Sequence, residues 1–289
     1  MKKAYILAAT AILFWSTMAT VSNALLGSFS SSFVLCLSSV FAFLFLFLKN
    51  LSTKNFLKLK DYTFKDIAIM VLIGLPGILF YNLLYYVGAA VMPASQAFII
   101  NYLWPIMSVL FACLLLKEKM TFRKGIAFFM SFVGVIIVAG DGISSFGSGA
   151  IFGAVCILLA ATSYGLFTAL NQKFNYDKNI SLMFVYAVTA IITLVISLLS
   201  GETASVNAVS LLGFAWNGAF VMGVANTAWA IALESGSTAK ISNLAYITPF
   251  ASLIWTSIFL KEKITVPSVL GLVVIILGIL IQHKNNKKK

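Results

Sequence analysis

Asn101-Tyr102-Leu103-Trp104-Pro105, running on to Leu116-Lys117-Glu118-Lys119, decides how the chain is read. It starts inside an apolar run and stops in a charged turn. The same frame returns at Tyr246-Ile247-Thr248-Pro249 and closes in Leu260-Lys261-Glu262-Lys263. The offset is 144 residues, half of a 289-residue chain. Without a gap it also pairs Asn82 with Asn226, Ser108 with Ser252, Thr121 with Thr265 and Gly134 with Gly278. Self-similarity at a fixed offset marks an internal duplication, here residues 1–144 and 145–289.

The composition places that duplication in lipid. The chain is 61% hydrophobic and 10% charged, where a soluble domain carries about 25% charged residues. Such a surface cannot be hidden from water in one globule. Apolar runs of about 20 residues recur along the whole length, as membrane-crossing helices require. They are too long and continuous for barrel strands. The expected fold is an all-α polytopic membrane protein of ten transmembrane helices. The predicted spans are Ala4–Leu26, Phe29–Leu48, Ile67–Ala89, Ala94–Leu116, Gly125–Ala139, Ala150–Asn171, Leu182–Leu199, Leu211–Leu233, Ile241–Leu260 and Pro267–Ile281. Their short connections make successive helices antiparallel. The one compositional break runs from Asp141 to Gly149 and divides spans one to five from spans six to ten. Lys2-Lys3 before an apolar run imitates a signal peptide, but many spans follow, so an uncleaved first helix is expected.

With the N-terminus in the cytoplasm, only Lys261 and Lys263 of the 20 basic residues fall outside. The positive-inside rule therefore puts both termini in the cytoplasm. It also explains the net charge of +12 without a nucleic-acid partner. Five spans per half is odd, so the second half must enter the bilayer inverted. Inverted repeats around a midplane site are the architecture of secondary transporters and offer a route to alternating access. A duplicated membrane protein that transports nothing is the plainer alternative. Cys36, Cys113 and Cys156 lie in apolar runs with no disulfide or metal spacing, and neither a metal nor a cofactor is expected.

Within the spans, Pro105 and Pro249 are expected to bend helices four and nine. Gly74, Pro76 and Gly77 interrupt span three, and Gly218 and Gly223 interrupt span eight. Such matched interruptions point to a transport site, although single glycines serve helix packing equally well. Asn82, Asn101, Asn226 and Asn243 are buried amides that can bind the carboxylate or amine of a substrate, or simply hold helices together. Trp15, Tyr81, Tyr85, Tyr86, Tyr102, Trp104, Tyr164, Trp229 and Tyr246 lie away from the charged turns, where interface anchors would sit. Together they suit a cavity that is apolar with a few polar points. All eight acids lie in connections or at span ends, and the single histidine, His283, is in the tail. A buried ion is the usual mark of a proton relay or an ionic substrate, so a neutral or zwitterionic substrate fits better. Glu234 is the acid nearest an inner mouth. An intramembrane enzyme would need a nucleophile–base pair or metal ligands in the spans, which this sequence lacks.

The two five-helix halves, each with its proline and terminal Lys-Glu-Lys, resemble the EamA-type carriers of the drug/metabolite transporter superfamily over essentially the whole chain. Trp15-Ser16-Thr17-Met18 and Asn101-Tyr102-Leu103-Trp104-Pro105 resemble the bacterial aromatic amino acid exporter branch, and Thr227-Ala228-Trp229 resembles it more weakly. The sequence departs from that branch at Ala232-Leu233-Glu234-Ser235-Gly236 and through the rest of span nine. The resemblance implies a central cavity lined by spans one, three, four, six, eight and nine. It further implies export of aromatic or other hydrophobic amino acids through a bacterial plasma membrane. The expected carrier is a multi-pass monomer whose partners are its small-molecule substrate and the lipid bilayer. A broad neutral-metabolite or drug exporter is the alternative within the superfamily, and a membrane scaffold or accessory subunit is the alternative outside transport.

Overall fold

Lipid offers backbone N–H and C=O groups no partner, so each apolar run must close its own hydrogen bonds as a helix. The computed structural model, which describes residues 2–146, 148–174, 176–202, 205–235 and 244–283, is all-helical among those residues. Eight helices are long and apolar enough to cross a membrane. They are α1 (Lys2–Leu26), α2 (Ser31–Ser52), α3 (Phe64–Ala89), α4 (Ala94–Leu115), α5 (Phe122–Asp141), α6 (Gly149–Lys173), α7 (Lys178–Leu199) and α8 (Ala208–Ala232). Two shorter apolar helices follow, α9 (Ala245–Phe259) and α10 (Val266–Ile281). Phe129, Leu72 and Ile136 are among many large apolar side chains on the outside of the bundle, a surface that lipid can cover and water cannot.

Several helices begin earlier than hydropathy alone predicts, because polar caps and not apolar residues set their first turns. A cap can also delay a helix: the Ser30 hydroxyl accepts from the Phe33 N–H, and α2 starts at Ser31, after the predicted Phe29. Thr63 and Asp66 form a reciprocal capping box at α3, so that helix starts at Phe64 and not Ile67. Asn207 and Ser210 do the same at α8. The stretch from Asp141 to Gly149, expected to be a break, is helical as far as Phe146 and again from Ser148. It is rich in glycine and serine but holds no proline, so nothing in it forbids helix. Asn243 and the start of the predicted ninth span lie outside the described residues, as does the Glu234 side chain.

Asp177 caps α7 by accepting from the Asn179 and Ile180 N–H groups, and it also accepts from Asn55 and from Lys58 at 2.6 Å. Burial alone would raise its carboxyl. The Lys58 ammonium, the Ile180 N–H and the Asn55 amide outweigh that and hold it below the ordinary carboxylate range. A carboxyl whose folded pKa is depressed contributes stability above its unfolded pKa, about 3.9, and loses it as pH falls through the folded value. Thermal stability in detergent should therefore drop on acidification below about pH 4, and Asp177→Asn should flatten that acid limb. An unchanged limb in the variant would remove Asp177 from the account.

Helix contacts recur at the 144-residue offset. A methyl group on Gly278 would sit 2.9 Å from the Ala127 carbonyl, and one on Gly134 would sit 2.7 Å from the Gly271 carbonyl. Moving Ala127 forward and Gly278 back by 144 residues produces the second contact, Gly271 with Gly134, with the two helices exchanged. The early residue of α5 meets the late residue of α10 and the reverse, so the two helices run antiparallel and join through like surfaces. Gly218 of α8 packs on Ser38 and Phe41 of α2, and Gly74 of α3 packs on Val185 of α7, again the same contact displaced by 144. The C-terminal ends of α4 and α9 match as well. Lys117 and Lys261 both adopt left-handed backbone, with φ of 57° and 55°. Beyond them the Glu118 and Glu262 N–H groups reach back to the Ala112 and Thr256 carbonyls, each at 3.4 Å. This helix stop usually falls to glycine.

Candidate functional site

The middle of the bundle is where helices are interrupted. Pro105 has no N–H to return to the Asn101 carbonyl, so α4 divides into Ala94–Asn101 and Trp104–Leu115. Pro249 occupies the same place in α9, where a 3₁₀ turn at Ala245–Ile247 precedes Thr248–Phe259. The wide π turns fall at matching places too, Pro76–Phe80 in α3 and Trp216–Val224 in α8. A π turn adds a residue to the coil and loosens its hydrogen-bond ladder, a feature frequent at functional sites. Two matched amides answer it. Asn82 Nδ2 donates to the Ile78 carbonyl at 2.8 Å, and Asn226 Nδ2 donates to the Met222 carbonyl at 2.7 Å. In α3 a second device helps, with Ser163 Oγ of α6 donating to the Pro76 carbonyl at 2.7 Å.

These interruptions surround a cavity of about 160 Å³. Of the amides and aromatic residues singled out from the sequence among the described residues, Trp15, Tyr81, Asn82, Asn101, Tyr102, Trp104, Tyr164, Asn226 and Trp229 line it, while Tyr85, Tyr86 and Tyr246 do not; Tyr85 and Tyr86 are fully buried in the helix packing. Its first wall is Tyr81 and Tyr164, with ring centroids 4.8 Å apart, and Trp104, which meets Tyr164 edge-on at 5.3 Å. Opposite, Trp15 of α1 and Trp229 of α8 pack at 5.3 Å. Asn101 Nδ2 donates to the Tyr81 hydroxyl at 2.9 Å, and the Tyr102 hydroxyl donates to the Ala245 carbonyl, tying α4 to α9. Tyr246 lies beside that link, half-buried and packed on the core. Its neighbours Ala245 and Thr248 reach the cavity in its place, because the 3₁₀ turn rotates successive side chains by about a third of a circle. Pro105 and Pro249 do not line the cavity; each begins the second piece of its helix.

Several lining residues were not proposed as such from the sequence, among them Met18, Tyr186 and Asn217. Tyr186 obeys the rule that selected the other aromatics, since it lies far from any charged turn, and it brings α7 to the site. Asn217 is fully buried and donates to Ser38 Oγ at 3.0 Å and to the Tyr86 hydroxyl at 2.7 Å. Its only signal was its place next to Gly218. Met18 sits 4.0 Å from the Tyr81 hydroxyl and carries no sequence signal. Among the described residues, no Lys, Arg, His, Asp or Glu lines the cavity.

At one end of the bundle a charge joins the loop after α9 to the start of α4. Glu262 accepts from the Ala94 N–H at 2.7 Å and the Ser95 N–H at 3.0 Å, which places a carboxylate on the positive N-terminus of α4. Its counterpart Glu118 forms an ion pair with Lys124 at 3.0 Å.

A model of the EamA-like transporter family matches residues 2–140 and again 151–282. An uncharacterised transporter of Clostridium kluyveri (strain ATCC 8527) is 25% identical, covering all of this chain and 95% of that protein. The uncharacterised transporter YvbV of Bacillus subtilis (strain 168) is 26% identical over 72% of this chain and 69% of its own. A solved crystal structure at 18% identity superposes with a TM-score of 0.70, covering 98% of this chain and 96% of the other, which is a likeness of fold.

Proposed function

The chain belongs to the EamA-like transporter family, and from that premise we propose that it exports small amphipathic zwitterions, chiefly aromatic or other hydrophobic amino acids, by alternating access across the plasma membrane. The observation that carries the proposal is the uncharged cavity walled by Trp15, Trp229, Tyr81, Tyr164 and Trp104. It lies where both halves break their helices. Its volume is close to the roughly 150 Å³ of a cavity that takes up benzene, so an aromatic ring suits it. The amides supply the few polar points that orient a ligand.

The proposed architecture is ten spans in two inverted repeats, residues 1–144 and 145–289, with both termini cytoplasmic. The 144-residue recurrence of contacts supports it, above all the antiparallel pairing of the equivalent helices α5 and α10. A monomer suffices, since the cavity is built within one chain. A second reading, a broad exporter of neutral metabolites, is favoured by the mainly aromatic wall, which sets shape more strictly than chemistry.

Purified full-length protein in vesicles preloaded with phenylalanine should take up labelled phenylalanine or tryptophan by exchange. Trp104→Ala should lower that exchange about tenfold or more, as expected when about 1.5 kcal/mol of aromatic packing is lost. Absence of flux for every amino acid tried would overturn the substrate assignment. Exchange of unrelated neutral metabolites at equal rates would favour the broad exporter.

A further inference from the structure

The amides in the cavity are not symmetric in what they offer. Each has donors on nitrogen and an acceptor on oxygen, and the nitrogens are already committed. Asn82 and Asn226 donate to backbone carbonyls, which can only accept, so the orientation of both amides follows from their partners. Asn101 and Asn217 donate to hydroxyls. In this arrangement the oxygens of Asn101 and Asn217 are left over. Among the described residues, Asn101 Oδ1 and Asn217 Oδ1 are buried with no hydrogen-bond partner, though both residues line the cavity and are almost wholly inaccessible. Thr248 Oγ1 at the α9 break is likewise buried and unpartnered. An orphaned buried polar atom is costly and calls for a partner.

The aromatic walls lean the same way. The faces of Trp and Tyr rings carry negative charge density and attract cations. Among the described residues, no lysine, arginine or histidine lines the cavity to meet a carboxylate. Free acceptors and π faces together select a donor-rich, positively charged group.

Resting on the transport reading above, we infer that the group recognised at this site is a protonated amine, and that the substrate class extends to aromatic amines with no carboxylate at all. The ammonium sits among the amide oxygens, and the ring occupies the aromatic wall. On this inference an amino acid is accepted through its amine, and its carboxylate adds nothing to affinity.

The test uses three ring-matched probes on the full-length chain in vesicles: L-phenylalanine, 2-phenylethylamine and 3-phenylpropionate. Binding is read from tryptophan fluorescence and transport from exchange. The amine should bind at least as tightly as phenylalanine, and the acid at least thirtyfold more weakly. Asn101→Asp, whose new carboxylate can accept from the Tyr81 hydroxyl, should tighten the amine about tenfold and leave the acid unbound. If phenylalanine is carried and 2-phenylethylamine is neither bound nor carried, the inference fails and the transport reading stands. If the acid binds as well as phenylalanine, the inference also fails. If none of the three binds, both fail. The three-probe comparison on the unaltered chain decides the matter even if Asn101→Asp does not fold.

Discussion

Gly218→Ala should destabilise the chain far more than Gly74→Ala, although the two glycines occupy equivalent places in the two halves. A methyl group on Gly218 would overlap the Ser38 carbonyl and lie 2.7 Å from Phe41 Cβ. The first obstacle is backbone inside α2, which can yield only if the whole helix moves. A methyl group on Gly74 would overlap only the side chain of Val185, which can rotate. Overpacking against a rigid neighbour costs about 3 kcal/mol, while replacing glycine in a helix returns about 1 kcal/mol. The net loss for Gly218→Ala is then about 2 kcal/mol, or about 4–8 °C in the unfolding midpoint. Gly74→Ala should stay within about 1 kcal/mol of the parent, because relief of the clash and the helix gain nearly offset. Displacing α8 from α2 also pulls Asn217 from Ser38 Oγ, so exchange activity should fall with stability in the Gly218 variant. Equal midpoints for the two variants would show that α2 is not the rigid surface described here.

Glu262→Ala should release the first turn of α4. The carboxylate accepts both the Ala94 and Ser95 N–H groups, and these donors have no helical acceptor because they begin the helix. Charge-assisted bonds of this kind are each worth about 1.5–3 kcal/mol, with the helix dipole adding to them. Losing the pair, with water taking over part of the role, should cost about 2 kcal/mol. That corresponds to roughly thirtyfold faster hydrogen exchange at the start of α4. Glu262→Gln keeps one acceptor without the charge and should fall between. Among the described residues Glu118 is held by an exposed ion pair with Lys124, whose loss should cost under about 1 kcal/mol. Identical exchange at Ala94 and Ser95 in all three proteins would remove Glu262 as the cap of α4.

Much of this was legible before any fold was known. The repeated Pro and Lys-Glu-Lys frame located the breaks in α4 and α9, and the matched Asn82 and Asn226 pointed at the cavity. Hydropathy marked the spans, but caps such as Thr63 and Asp66 set where helices start, since a helix continues until its end groups are satisfied and not merely while it is greasy. The long helices running into the Asp141–Gly149 stretch were misread as a break for the same reason.

Other features had no one-dimensional signal. Met18 reaches the cavity because α1 is kinked at Thr17, and Tyr246 turns aside because of a single 3₁₀ turn. Asn217 joins the site through Ser38 and Tyr86, residues far away along the chain. The sequence by itself determined that the chain is helical, lipid-borne and doubled, because burial of apolar area and repetition are properties of composition and order. Only the tertiary structure decided which atom of each amide is spent and which is left over, because a hydrogen-bond partner is chosen by distance and angle between helices that the chain does not place side by side.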